Sequence, residues 1–222
     1  MDFVSLYTTW LTLFTICFSF FPIFMVLEWR KRGTSEGFSS INLVLPIMMM
    51  GCWLRYGFLT NDKSNITINS VNIGLMSCYL LAFAYYQPNR TNVKYQVVSV
   101  LAALAAIYAY VATVPADKAA DTMGGIAAGT QILGLGGAIY EITRIIGFKH
   151  TEYVPANMTF GMTLLATQWL IFGLLINDFY VTIANVAGLA VNVVTILMYV
   201  IYPPLTWRVP LLGVGPQEKK KQ

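Results

Sequence analysis

WLRYGFLTND at residues 53–62, followed by TINSVNIG at 67–74, is written a second time 116 residues later as WLIFGLLIND (169–178) and TIANVAG (182–188). Laid on one another without a gap, the copies match Trp53 with Trp169, Gly57 with Gly173, Asn61-Asp62 with Asn177-Asp178, Asn69 with Asn185, Tyr86 with Tyr202 and Pro88 with Pro204. An internal repeat of this kind decides the architecture before any local reading does. Each copy reads as a helical hairpin turning at its Asn-Asp pair. The Trp and the later Asn lie eight residues on either side of that turn, so at the helical rise each sits roughly 12 Å below it. The repeat therefore yields one polar layer of two indoles and two carboxamides in an apolar chain. Such a layer fits a sugar, whose C–H faces lie on aromatic rings while carboxamides both donate to and accept from hydroxyls. The other use of these residues is two core tryptophans and two helix-packing asparagines.

Composition places the repeat in a membrane. Of 222 residues, 57% are hydrophobic and 11% charged, leaving room for about seven spans of ~20 residues and no soluble domain. The formal charge of +4 comes from basic residues in short loops, which excludes nucleic acid as a partner. Cys17, Cys52 and Cys78 fall in apolar runs without metal-ligand spacing and read as small buried hydrophobes, so neither a metal nor a cofactor is expected.

Spans are expected at about 6–27, 41–60, 66–86, 95–114, 123–146, 156–176 and 179–202. The first is too long for a signal peptide and is followed by Arg30-Lys31-Arg32. The loops after spans one, three and five, with the tail, carry Arg30, Lys31, Arg32, Arg90, Lys94, Arg144, Lys149, Arg208, Lys219, Lys220 and Lys221, against Arg55, Lys63 and Lys118 on the other side. That asymmetry puts the C-terminus in the cytosol and the N-terminus outside. The sequon Asn65-Ile66-Thr67 then lies on the lumenal side as a candidate glycosylation acceptor. The expected fold is all-α, two parallel three-helix bundles joined by an inversion linker helix (3+1+3). Its divisions are 1–90, 91–118 for the linker, 119–205, and a basic tail at 206–222. Two three-span copies point the same way only if one extra span crosses back between them.

These features resemble the SWEET sugar transporters of the MtN3/saliva and PQ-loop group over essentially the whole chain through Pro204. Thr34-Ser35-Glu36-Gly37-Phe38-Ser39 and Lys149-His150-Thr151-Glu152-Tyr153-Val154-Pro155 resemble the family's two loop signatures, and Trp-x-x-Tyr/Phe-Gly followed by Asn completes each repeat. The resemblance implies substrate contacts from Trp53, Asn69, Trp169 and Asn185. Trp53 stands where some plant members have a small residue, which favours monosaccharides such as glucose over disaccharides. It also implies a cytoplasmic-side gate of four prolines, whose positions here hold Pro22, Asn42, Ala138 and Pro155; Pro46, one turn deeper than Asn42, is a candidate substitute. Tyr56 and Asp178 occupy the positions of the outer gate. The family commonly forms homo-oligomers.

Acidic residues lie at span ends or in loops, Glu141 is within a turn of Arg144, and the single histidine, His150, is in a loop. No ionisable group is placed to take a coupling charge within the membrane, and no catalytic constellation lies at depth. The expectation is a non-enzymatic, bidirectional uniporter working by alternating access. The rival readings are a cargo or peptide receptor of the same fold group, with Arg55 as its one candidate carboxylate ligand, and a PQ-loop amino-acid exporter. Localisation is expected at the plasma membrane. The alternative is the Golgi or ER, because Lys219-Lys220 resembles a dilysine retrieval signal.

Overall fold

Asn61 and Asn177 turn the chain in the left-handed backbone region, at φ 55° and 53°, which asparagine tolerates better than most residues. The following aspartate N–H reaches back to a glycine carbonyl, Asp62 to Gly57 at 3.0 Å and Asp178 to Gly173 at 2.8 Å, satisfying a carbonyl the ending helix would leave open. The aspartate side chain then caps the next helix. Asp62 Oδ1 accepts from the Ser64 and Asn65 amides at 2.9 and 3.1 Å, and Asp178 Oδ1 from Val181 at 3.0 Å.

The computed structural model describes residues 2–216, which hold nine α-helices and no strand. These are α1 (Phe3–Phe18), α2 (Ile23–Arg32), α3 (Ile41–Thr60), α4 (Lys63–Tyr86), α5 (Thr91–Thr113), α6 (Ala116–Gly134), α7 (Gly136–Phe148), α8 (Ala156–Leu175) and α9 (Phe179–Ile201). Six stretches among the described residues are long and apolar enough to cross a membrane, with α1 and α2 counted together from Phe3 to Arg32. The seventh span is α6 with α7. The layout is three spans, one, then three, and each span runs to within a few residues of its expected limits except the first and fifth, which are longer and interrupted.

Both interruptions fall at the same repeat position. In the first copy, residues 19–22 form a tight turn whose amides reach three residues back, as in Phe21 to Phe18 and Ile23 to Phe20. Pro22 has no N–H to bond the Phe18 carbonyl, and Phe21 supplies that bond instead. Tyr79 Oη of α4 donates to the Ser19 carbonyl at 3.1 Å. In the second copy the break is at Leu135, the counterpart of Ser19, and the proline position is Ala138, inside α7. Gly134, Gly136 and Gly137 flank Leu135, so backbone freedom replaces proline's missing donor. Pro46 lies within α3 and so leaves the Asn42 carbonyl without its helical donor. Pro155 is the N-cap of α8, where it bends no helix.

The chain forms two compact units, 1–130 and 131–222. In the first, α4 packs on α3, α1 and α2, and α5 packs on α3. Gly51 permits that last contact, since a Cβ there would come within 2.9 Å of a Leu104 methyl, and Tyr108 Oη donates to the Gly51 carbonyl at 2.6 Å. Trp29, Leu43, Tyr79, Phe83 and Val93 form a core at the end away from the Asn-Asp turn. In the second unit α9 packs on α8 and α7, with Ala156, Tyr199 and Val209 as its core.

One buried hydroxyl closes that end of each unit. Ser35 and Thr151, both 0% exposed, are repeat counterparts in the loop signatures. Ser35 Oγ lies 2.7 Å from Gln87 Oε1 and 3.2 Å from the Phe83 carbonyl, and Thr151 Oγ1 donates to the Tyr202 carbonyl at 2.9 Å. Each ties the loop entering the second span to the end of the third. Beyond α9 the chain folds back over the second unit. The Leu205 and Thr206 amides donate to Glu152 Oε2 at 2.6 and 3.0 Å, the Thr206 hydroxyl bonds Glu152 Oε1, and Trp207 Nε1 donates to the Glu152 carbonyl at 3.0 Å. These bonds, the Thr206 hydroxyl first, hold the Glu152 carboxyl below its usual pKa despite the burial that opposes them, with His150 adding a smaller charge contribution.

The expectations for Cys17 and Cys78 are corrected. Cys52 is buried, but Cys17 and Cys78 are exposed on the helix surfaces; an apolar run in a membrane does not reveal which face turns inward, because lipid is as apolar as a core. The Lys219-Lys220 signal is a separate matter and lies outside the described residues.

Two measurements follow from this packing. A Cβ on Gly173 would stand 2.7 Å from Thr182 Oγ1 and 2.9 Å from the Thr182 backbone nitrogen, whereas one on Gly74 meets nothing within 4 Å. Gly173→Ala is expected to cost about 1–3 kcal/mol and lower the thermal midpoint in detergent, with Gly74→Ala unchanged or raised. For Glu152, a depressed folded-state pKa means the stabilisation is present above the unfolded carboxylate range and lost as pH falls through the folded value. Hydrogen exchange of the Leu205 and Thr206 amides, corrected for intrinsic rate, should be slow at neutral pH. It should accelerate on acidification and be fast at neutral pH in Glu152→Ala.

Candidate functional site

Trp53 on α3 and Asn69 on α4 are both buried in the first unit, at 7% exposure each. The Trp53 indole stands nearly perpendicular to Tyr56, ring centroids 5.7 Å apart, a contact between residues one helical turn apart that fixes the indole plane. Asn69 Nδ2 donates to the Asn65 carbonyl at 2.9 Å, with Asn65 Oδ1 a second acceptor. A helix carbonyl already bonded within its helix can accept once more, and this is how a carboxamide is steadied in an apolar span.

The second unit repeats the arrangement. Trp169 on α8 is half-buried and nearly perpendicular to Phe172 at 5.6 Å, Phe172 being the counterpart of Tyr56. Asn185 on α9 is 8% exposed, and its Nδ2 donates to the Val181 carbonyl at 2.8 Å. In both units the amide of the same residue bonds the carbonyl four residues back. One N–H is thereby used in orientation, and by valence Asn185 retains a second N–H and two oxygen lone pairs for a hydroxylated ligand. Among the described residues no cluster of three His, Cys, Asp or Glu side chains could hold a metal.

The gate residues divide by unit. Tyr56 is buried on α3 in the first, and Asp178 caps α9 in the second. Pro22 and Asn42 belong to the first unit, Ala138 and Pro155 to the second. Asn42 is exposed near the start of α3 and Ala138 is exposed in α7. The candidate acceptor Asn65 is corrected here. It is 3% exposed, sits in the first turn of α4, and its Oδ1 accepts from the Asn69 amide, so in the folded chain it is a packed residue and not an exposed loop acceptor.

Two features escaped sequence reasoning. Ser35 and Thr151 were visible only as members of the loop signatures, although their exact repeat spacing relative to Tyr86 and Tyr202 was a usable signal. Asn72, 5% exposed and one turn beyond Asn69, has no asparagine counterpart, since Gly188 occupies its repeat position; a search for matched residues passes over it.

The duplicated geometry has known counterparts. Residues 5–91 and 121–206 each match the sequence profile of the family described as "Sugar efflux transporter for intercellular exchange". The chain is similar to the bidirectional sugar transporter SWEET12 of Oryza sativa subsp. japonica, 29% identical over 177 residues, covering 78% of this chain and 59% of that one. It is also similar to the sugar transporter SWEET1 of Drosophila pseudoobscura pseudoobscura, 25% identical over 181 residues and covering 80% of each. This chain spans roughly three fifths to two thirds of the length of the plant relatives, at 59%, 66% and 62%. In fold it resembles a eukaryotic SWEET transporter solved at 3.7 Å, with a TM-score of 0.79, 16% identity, and coverage of 90% of this chain and 96% of the other. With both repeats matched over most of its length, this chain belongs to the MtN3/saliva, or SWEET, family of multi-pass membrane transporters, which are not enzymes.

Proposed function

We propose that this protein is a facilitative, bidirectional uniporter for sugars, monosaccharides such as glucose foremost, with each bundle supplying one indole and one carboxamide: Trp53 and Asn69, Trp169 and Asn185. The observation that carries the reading is the repeat-matched pair itself. In each unit an asparagine buried in an apolar span donates to the carbonyl four residues back, and a tryptophan at matching depth is set on edge to an aromatic neighbour. A buried carboxamide is costly among hydrocarbon unless it has work to do. Placed twice beside an indole, it suits an uncharged, hydroxyl-rich cargo.

Alternating access would proceed about the broken first spans. Their interruptions at 19–22 and 135 supply matched points of bending, through Pro22 in one copy and the flanking glycines in the other. Pro46, with the Asn42 carbonyl it leaves open, offers a further one in α3. Tyr56 and Asp178 would close the outer side. The asymmetry of basic residues supports an N-terminus outside and a C-terminus in the cytosol, and the plasma membrane is the proposed site of action.

The test is sugar uptake into proteoliposomes by purified variants. Trp169→Ala and Asn185→Ala should each reduce glucose uptake by roughly tenfold or more, the scale of a lost buried contact in a weak site, with the thermal midpoint close to wild type. Unimpaired uptake in either variant would return that residue to helix packing.

A further inference from the structure

Asn72 is 5% exposed, and its buried Oδ1 has no hydrogen-bond partner among the described residues. Two other buried polar atoms are also unpartnered, Thr15 Oγ1 and Trp29 Nε1. A threonine hydroxyl can rotate towards carbonyls of its own helix, and the Trp29 indole is packed near-perpendicular to Phe38 and Phe83, where ring faces accept weak N–H contacts. An amide oxygen has no such recourse. It needs a donor, and inside a helix every backbone N–H is already committed. Where such a segment faces lipid or packed protein, water does not make up the deficit, and a partner comes only from the protein or from what enters its cavity.

Asn72 stands three residues beyond Asn69 and seven beyond Asn65 on α4, so the three buried amides share one helix face. Asn65 and Asn69 bond each other, while the third oxygen is left open. The second repeat diverges at this position. Gly188 replaces the amide, and a Cβ there would meet nothing within 4 Å. One copy thus adds an acceptor where the other adds open space. The two repeats, alike at Trp and Asn, present unlike surfaces one turn further from the Asn-Asp turns.

We infer that Asn72 is a specificity-determining residue of the sugar site, its Oδ1 accepting a hydrogen bond from one substrate hydroxyl one helical turn beyond the group bound at Asn69. The inference rests on the transport reading above and deepens it. A pyranose has no two-fold symmetry, so a duplicated site distinguishes one hydroxyl from another only where the copies differ, and Asn72 opposite in sequence to Gly188 is such a difference. A packing asparagine would have its oxygen matched by a neighbour, and its removal would weaken the fold. Removing an oxygen kept open for cargo relieves an unpaired polar group and leaves stability unchanged or raised.

The experiment compares wild type, Asn72→Ala and Asn72→Leu in proteoliposomes with glucose and its 2-, 3-, 4- and 6-deoxy analogues, alongside thermal midpoints in detergent. Expected for Asn72→Ala is a roughly five- to tenfold rise in the half-saturating glucose concentration. One deoxy analogue that wild type handles poorly should be handled by the variant as well as glucose is. Asn72→Leu should melt at or above the wild-type temperature. An unchanged glucose half-saturation in Asn72→Ala overturns the inference, as does a lowered midpoint with equal loss for all five sugars. Wild-type vesicles that take up no sugar would remove the transport reading itself; uptake abolished by Asn185→Ala but indifferent to Asn72→Ala removes this inference alone.

Discussion

Everything polar in this molecule is governed by the absence of water along its spans. A buried N–H or C=O that finds no partner in hydrocarbon costs several kcal/mol by general estimates, so each such group must be matched inside the chain or kept for something that arrives. Most are matched locally. Thr8, Thr12, Thr163, Thr167 and Thr195 all donate to the carbonyl four residues back, as do the amides of Asn69 and Asn185. The hairpin turns obey the same constraint, spending each aspartate on open amides and each glycine carbonyl on the aspartate N–H. Departures from this thrift are few, and they mark where function is to be sought.

Glycine does the complementary work. At Gly57 and Gly173 the two helices of a hairpin come so close that a methyl group would meet backbone nitrogen at 3.2 and 2.9 Å. That approach fixes the register of α3 on α4 and of α8 on α9, and so holds each Trp at the depth of its Asn. The candidate site is thus set out by the turn, the close crossing and helical arithmetic together. At the other end Ser35 and Thr151 repeat the device with a hydroxyl, fastening loop to helix end in each unit.

Much of this was legible in the residues because duplication is an unusually strong signal. A match of Trp, Gly, Asn-Asp and Asn at one constant offset reveals hairpins, turn and candidate site together, and a 3+1+3 layout follows from the count of spans. What the sequence concealed was of another kind. Pro22 and Ala138 look like a hinge kept and a hinge lost, yet the helix breaks at the same register in both copies, because three glycines around Leu135 yield where proline would have forced. Asn65 reads as an exposed sequon, but the Asp62 cap starts α4 early enough to draw it into the packed face. Cys17 and Cys78 read as interior, though lipid and core ask the same of a side chain. The last two misses concern which side of a helix faces what, and composition does not carry that information in a membrane.

The central claim is that paired indoles and carboxamides move a neutral sugar with no ion to drive it. Counterflow in proteoliposomes of the purified protein tests this most directly. Vesicles loaded with unlabelled glucose and diluted into tracer glucose, without any ion gradient and with a protonophore present, should accumulate tracer transiently above equilibrium and then lose it. Absence of the overshoot in vesicles shown to contain folded protein, or accumulation that appears only under an imposed proton or sodium gradient, would contradict the account.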